Sequence, residues 1–198
     1  MKRLLLATAL VVTGAAPAMA EMLPLSAIST YLNGLVTAQT DFTQINDDGS
    51  LSTGKLFIKR PGRMRFEYDP PDQAVVVAGG GTVVIFDAKS NTEPETYPLN
   101  RTPLSIILAR QVDLDRADMV VGHGFDGTAT VVTAQDPENP DYGNIQLSFT
   151  ANPIELRKWV VTDNAGTQTT VILQDMKTGG ALPDTMFNTT VVGERQNR

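Results

Sequence analysis

The run Arg63-Met64-Arg65-Phe66-Glu67-Tyr68 constrains the fold more than any other stretch of this chain. Charged and apolar residues alternate without a break. A β-strand therefore puts Arg63, Arg65 and Glu67 on one face and Met64, Phe66 and Tyr68 on the other. A helix would mix the two sets, because its side chains repeat about every 3.6 residues. One wet face and one apolar face describe a strand of an antiparallel sheet whose apolar side must be covered by something else.

The flanking sequence supplies the rest of such a sheet. Asn46-Asp47-Asp48-Gly49 reads as a hairpin turn between strands at Asp41–Ile45 and Leu51–Lys59, and Arg60-Pro61-Gly62-Arg63 as a second tight turn. Pro70-Pro71 ends the alternating strand. Further strands are predicted at Gln73–Ala78 and Thr82–Asp87, split by Gly79-Gly80-Gly81. Others follow at Glu95–Leu99, Met119–Gly122, Thr128–Thr133, Ile145–Thr150, Leu156–Thr162 and Thr167–Gln174, the last two joined by Asp163-Asn164-Ala165-Gly166. Consecutive hairpins of this kind make an antiparallel meander, either a barrel or a strongly curved sheet.

Two helical patterns interrupt the strands. From Leu23 to about Ala38, Leu25, Ile28, Leu32 and Leu35 fall at steps of three and four and form one stripe, with Pro24 suited to a first turn. In Thr102–Arg110, Thr102 is a candidate N-cap and Pro103 a first helical residue, with Leu104, Ile107 and Leu108 on one face. The expected architecture is mainly β with some α: an unclosed antiparallel β-barrel, or curved sheet, covered by a lid of short helices. Such a lid can leave an apolar cavity beneath it. Composition does not separate that cavity from a filled core. The tail Gly193–Arg198 is expected to fray.

The ends of the chain speak to its address. Met1-Lys2-Arg3, the apolar run Leu4–Val12 and Ala18-Met19-Ala20 follow the order of a secretory signal, so residues 1–20 are expected to be removed after Ala20, leaving one domain at 21–198. Without Lys2 and Arg3, sixteen basic residues become fourteen against twenty-two acidic ones, a net charge of −8. That balance argues against nucleic acid or an anionic membrane surface as partner. There is no cysteine, so neither a disulfide nor a thiolate metal site is available. Glu21 stands where a bacterial lipoprotein would carry its lipidated cysteine, which predicts a protein free in its compartment.

Signals for catalysis are absent. The sole histidine, His123, lies in Gly122-His123-Gly124, a turn-like setting, and no nucleophile or phosphate-loop motif surrounds it. Asp47-Asp48, Asp113 with Asp115, and Asp136 with Glu138 lie in or beside turns, where carboxylates bind their own backbone. No enzyme activity, cofactor or metal is expected.

The stretch Gly54–Pro71, which contains Lys59-Arg60-Pro61 and the alternating strand, resembles the most recognisable segment of the LolA family. Phe42-Thr43-Gln44 precedes it. Val75–Gly80, Val83–Asp87, Tyr97-Pro98-Leu99 leading into Thr102-Pro103-Leu104, Asn144–Phe149 and Leu156–Asp163 follow at the family's spacings. The likeness does not extend to Asp136–Tyr142 or to the tail from Gly180. It implies an unclosed barrel with helices over an apolar mouth, in a periplasmic carrier of acylated lipoproteins. The implied partners are those lipoproteins, an inner-membrane ABC-type releasing complex and an outer-membrane acceptor lipoprotein, met by a monomer. It also implies that Arg60 latches the lid, and that Met64 and Phe66 belong to the apolar face. The wider lining is expected to include Leu25, Ile28, Leu32, Leu35, Tyr68, Val75, Val77, Val84, Phe86, Leu104, Ile107, Leu108, Phe149 and Trp159. The alternative is a periplasmic lipoprotein-sensing regulatory module of similar fold, which normally carries a second domain.

Overall fold

The structure, a computed structural model, describes residues 22–87, 89, 93–115 and 118–196; the expected leader lies outside the described residues. Six strands run in succession from the first helix: β1 (Thr37–Ile45), β2 (Leu51–Lys59), β3 (Arg63–Tyr68), β4 (Val75–Gly79), β5 (Thr82–Phe86) and β6 (Glu95–Pro98). Six more follow: β7 (Val120–Phe125), β8 (Thr130–Gln135), β9 (Asn144–Thr150), β10 (Glu155–Thr162), β11 (Gln168–Leu173) and β12 (Lys177–Thr178). They form one sheet in the order β6-β5-β4-β3-β2-β1-β11-β10-β9-β8-β7, with β12 pairing β1. Every pairing is antiparallel. β6 and β7 end the order and do not pair with each other, so of the barrel and the curved sheet that the hairpins allow, the sheet is the open one.

Helices α1 (Leu25–Gly34) and α2 (Leu104–Leu108) pack their apolar residues on one face of this sheet. Ile28 and Leu32 of α1 and Ile106, Ile107 and Leu108 of α2 join Phe42, Leu56, Met64, Phe66, Phe149 and Trp159 in the main core. The other face carries α3 (Thr189–Gln196) and the segment before it, whose Phe187 and Val192 are buried.

Local details differ from the sequence expectations. α1 stops at Gly34 rather than near Ala38, because the chain from Thr37 changes period: Ala38, Thr40 and Phe42 are buried while Gln39 and Asp41 are exposed. Leu35 thus continues the apolar stripe from beyond the helix end. Thr102 does not cap α2. Its hydroxyl donates to the Leu99 carbonyl of a preceding 3₁₀ turn (Leu99–Arg101). His123 lies within β7 rather than in a turn. Residues from Gly193 to Gln196 continue α3 rather than fraying, since Val192 anchors that helix on the sheet.

The largest correction concerns Val75, Val77, Val84 and Phe86. The register pairs Phe66 with Val76 and Met64 with Ala78, and then Val76 with Ile85. Paired residues share a face, so Val76, Ala78, Val83 and Ile85 lie on the side of Met64 and Phe66. The four predicted lining residues point the opposite way and pack with Phe187 and Val192. Arg65, on that same side, donates to the Met186 carbonyl (3.1 Å), and Lys59 and Arg63 both reach Asp184 at 2.6 Å. The tail is therefore strapped across the side of β2–β5 opposite the helices α1 and α2. Gly79 permits its close approach, because a Cβ there would collide with the Phe187 carbonyl.

Candidate functional site

The covered face is an aromatic-rich apolar interior. Phe42 stands edge-on to both Phe66 and Tyr68 with ring centres 5.2 Å apart, and Trp159 stands edge-on to Phe66 at 6.3 Å. Tyr31 of α1 meets Phe149 of β9 edge-on at 5.9 Å. Such edge-to-face pairs suit the positive rim and negative face of aromatic rings. Met64 and Trp159 are each 1% exposed and Phe66 6%, so the interior is shut off from water. Polar groups at this interior are hydrogen-bonded, and Tyr68 is one of them. The Tyr68 hydroxyl donates to Gln44 Oε1 at 2.7 Å, and burial pushes its pKa up to about 12.

Leu25, Ile28, Leu32, Leu35, Leu104, Ile107, Leu108, Phe149 and Trp159 all belong to this interior with Met64, Phe66 and Tyr68. Leu25 and Leu104 sit at its margin and are only partly buried. Phe42 is a central member that the sequence reading did not place there. The alternation of β1 would have identified it had the strand been started at Thr37.

Arg60 closes the β2–β3 turn beneath the ends of both helices. Its backbone N–H donates to the Val36 carbonyl (2.8 Å), just beyond α1, and the Gly62 N–H donates to the Leu108 carbonyl (2.8 Å) at the end of α2. The guanidinium Nη2 donates to the Ala109 carbonyl at 2.6 Å and lies 3.5 Å from Asn33 Oδ1. Arg60 is only 7% exposed, and its Nε–H has no hydrogen-bond partner. Burial lowers the guanidinium pKa. A charged group held by neutral oxygens and left partly unsatisfied costs free energy, so other forces must hold it in place.

The sequence reading also missed Asn33 and Ser29. Asn33 Nδ2 donates to the Val112 carbonyl at 2.7 Å, and its Oδ1 accepts from the Val112 N–H at 2.9 Å. Ser29 Oγ accepts from the Leu114 N–H at 2.9 Å. Residues 29 and 33 are one helical turn apart, so α1 presents both to alternate residues of an extended segment. Nothing local signals this, because the partners lie 79 and 85 positions away in sequence.

Asp48 and Asp136 behave as turn residues. Asp48 Oδ1 accepts from the Ser50 N–H, and Asp136 Oδ1 from the Glu138 and Asn139 amides. His123 Nε2 lies 2.9 Å from the Leu23 carbonyl, tying the start of the described chain to β7. Among the described residues no cluster of three or more metal-ligating side chains forms, and no helix is long and apolar enough to cross a membrane.

The chain as a whole is similar to known proteins. The chain is 27% identical over 192 residues to an outer-membrane lipoprotein carrier protein of Chromobacterium violaceum, covering 93% of this chain and 90% of that protein. It is 26% identical over 195 residues to the protein of the same description from Pseudomonas putida, covering 93% and 92%. A crystal structure of a LolA superfamily protein from Nitrosomonas europaea aligns with a TM-score of 0.43 at 10% identity, over 85% of this chain and 99% of that one. The family model for the outer membrane lipoprotein carrier protein LolA matches residues 33–190, and the chain therefore belongs to the LolA family.

Proposed function

We propose that this protein is a non-catalytic periplasmic carrier that takes up the acyl chains of lipoproteins between its helices and its sheet. Exported with cleavage after Ala20, it receives cargo from an inner-membrane ABC-type releasing complex and passes it to the outer membrane, where an acceptor lipoprotein takes it over. The observation that carries this reading is the Arg60 clamp. A buried cation spends its hydrogen bonds on holding α1 and α2 over an otherwise continuous apolar face.

The energetics suit transport. Each buried methylene is worth about 0.8 kcal/mol, so one long acyl chain gains on the order of 10 kcal/mol by leaving water. A carrier must match much of that gain and still release its cargo. In the closed form the interior is filled by its own side chains, from Phe42 and Phe66 to Ile107 and Leu108. Cargo enters only when the helical cover moves off, and closure of that cover competes with cargo. Arg60 sets part of that competition from a turn, where its loss leaves the apolar interior intact.

The test is binding of an apolar fluorescent probe to residues 21–198 and its displacement by a diacylated lipopeptide. Saturable binding with displacement is expected. Failure of the probe to bind at micromolar concentration overturns the carrier reading.

A further inference from the structure

We infer that β7, one of the two end strands of the open sheet, is a docking edge for an extended segment of a partner protein, apolar at its centre and basic at both ends, which adds a strand beside it. Nothing in this docking depends on cargo or on the Arg60 clamp. The two edges of the sheet are not alike. β6 runs Glu95-Thr96-Tyr97-Pro98 behind Pro94. Proline has no N–H to pair and a charge resists burial, so that edge is guarded against an added strand. β7 runs Val120-Val121-Gly122-His123-Gly124-Phe125, with no proline, lysine, arginine or carboxylate. Val121 is 59% exposed and Phe125 39%, so apolar surface lies on the edge itself. The register shifts between Val120 and Gly122, and from Gly122 to Phe125 the pairing with β8 is regular.

The backbone on the free side of β7 can take a strand. The Asp126 N–H donates to the Ala129 carbonyl (3.1 Å) and closes the β7–β8 turn. Bonded pairs alternate along an antiparallel ladder, so Gly124 and Gly122 turn their amides to β8 while Phe125 and His123 turn theirs away from it. Among the described residues no other strand pairs with β7, and no loop backbone bonds to His123 or Phe125. An added strand gains main-chain bonds at these two residues and apolar contact with Phe125 and Val121.

The surrounding charge selects the occupant. Residues 111–130 carry four acids, Asp113, Asp115, Asp118 and Asp126, and one arginine, Arg116, which lies outside the described residues. Asp118 and Asp126 are exposed and bracket the strand. A second copy of β7 paired antiparallel would bring Asp126 of one chain toward Asp118 of the other, and like charges oppose that arrangement. A segment with lysine or arginine at each end meets both carboxylates, and its uncharged centre meets the uncharged edge.

The probe is a fluorescent peptide of alternating threonine and valine with lysine at each end, added to residues 21–198, and the same peptide with glutamate ends is the comparison. The lysine-ended peptide should bind about fivefold more tightly. With that peptide at about ten times its Kd, the His123 and Phe125 amides should exchange about tenfold more slowly while those of Gly122 and Gly124 change little. Phe125→Pro deletes an outward donor at an edge position that tolerates proline, and should weaken binding about tenfold, whereas Phe125→Leu keeps the donor and should weaken it about twofold. Asp118→Asn together with Asp126→Asn, which leaves an acceptor in the β7–β8 turn, should abolish the preference for lysine ends. If Phe125→Pro unfolds, the exchange pattern of the wild type decides. Slowed exchange at β6 instead of β7, equal binding of the two peptides, or no binding at millimolar peptide overturns the inference. Equal binding by folded Phe125→Pro and Phe125→Leu overturns the added strand. Slowing of His123 and Phe125 that comes with protein concentration alone and excludes the peptide assigns the edge to a second copy, and overturns the basic partner.

Discussion

Replacing Arg60 by leucine tests the proposal that this residue latches the helical cover. In the closed form the guanidinium makes one short bond, to the Ala109 carbonyl at 2.6 Å. A hydrogen bond from a charged group is worth about 1.5–3 kcal/mol. The 3.5 Å approach to Asn33 Oδ1 is at the outer limit for such a bond and adds little. Against this stands the buried Nε–H without a partner, which costs about 1–3 kcal/mol while the cover is closed. The 2.6 Å length puts the bond at the strong end of its range, so about 3 kcal/mol less a mid-range penalty of about 2 kcal/mol leaves a latch worth about 1 kcal/mol, enough to shift the closed-to-open ratio about fivefold. The leucine variant should fold normally, load an acylated lipoprotein, and hold the apolar probe about fivefold more tightly than the wild type. It should surrender cargo to acceptor membranes correspondingly less. The assay is lipoprotein transfer from loaded carrier, with thermal melting as the control for folding. Normal transfer by a well-folded Arg60→Leu protein refutes the latch. Failure to load at all refutes it in another way, by placing Arg60 among the groups that hold cargo.

Three further outcomes follow from groups whose surroundings are specific. Burial raises the Tyr68 pKa from 10.0 to about 12, so its contribution to stability is complete below pH 10 and declines as pH rises toward 12. Burial also raises the Tyr31 phenol, so a tyrosinate absorbance titration should show a late-ionising group of tyrosines that includes Tyr68, and Tyr68→Phe should remove one residue from it. Asp184 is held below its ordinary value of 3.8, chiefly by its hydrogen bond with Lys59, so its pinning of the tail is present at neutral pH and fades as pH falls through the carboxylate range. Asp184→Asn should speed proteolysis within residues 180–192 at neutral pH without altering the main core, and unchanged cleavage would show that the apolar packing of Phe187 alone holds the strap. Gly79→Ala should push Phe187 off β4 and cost about 1–3 kcal/mol in denaturant unfolding, since the added Cβ has no room beneath a backbone carbonyl.

What the sequence makes legible here is local, and what it hides is paired over distance. The β3 alternation and the turn at Asn46–Gly49 declare themselves within a few residues; β2 and β3 have the expected bounds, while β1 begins at Thr37, four residues before the expected Asp41. Val75-Val76-Val77-Ala78 carries no alternation at all. A strand covered on both faces reads as a continuous apolar run, and only its register with Phe66 says which valines face the helices. For that reason the helix-facing set drawn from the sequence mixed both sides of the sheet. The second apolar cluster was invisible for the same reason, because its cover is a tail whose aromatic, Phe187, sits in a stretch without strong periodicity. Arg60 was found through family resemblance and not through physics, since a turn arginine is ordinarily a solvated one. Its burial depends on two helices, one ending 26 residues before it and the other beginning 44 after it.

The shortness of α2 ties these observations together. A helix of five residues has no stability of its own in water, and this one has neither a side-chain cap nor opposite charges at its ends. It is helical because Ile106, Ile107 and Leu108 are buried against the sheet and because Gly62 and Arg60 receive its last carbonyls. Undocking therefore removes the reason for its structure as well as its position. An open cover of this kind gains chain entropy that the closed form lacks, which offsets part of the apolar burial lost on opening. α1 is twice as long and carries its own anchors to β7, β8 and β10. Length and anchoring thus set the two helices apart, with Asn33 and Arg60 placed between them.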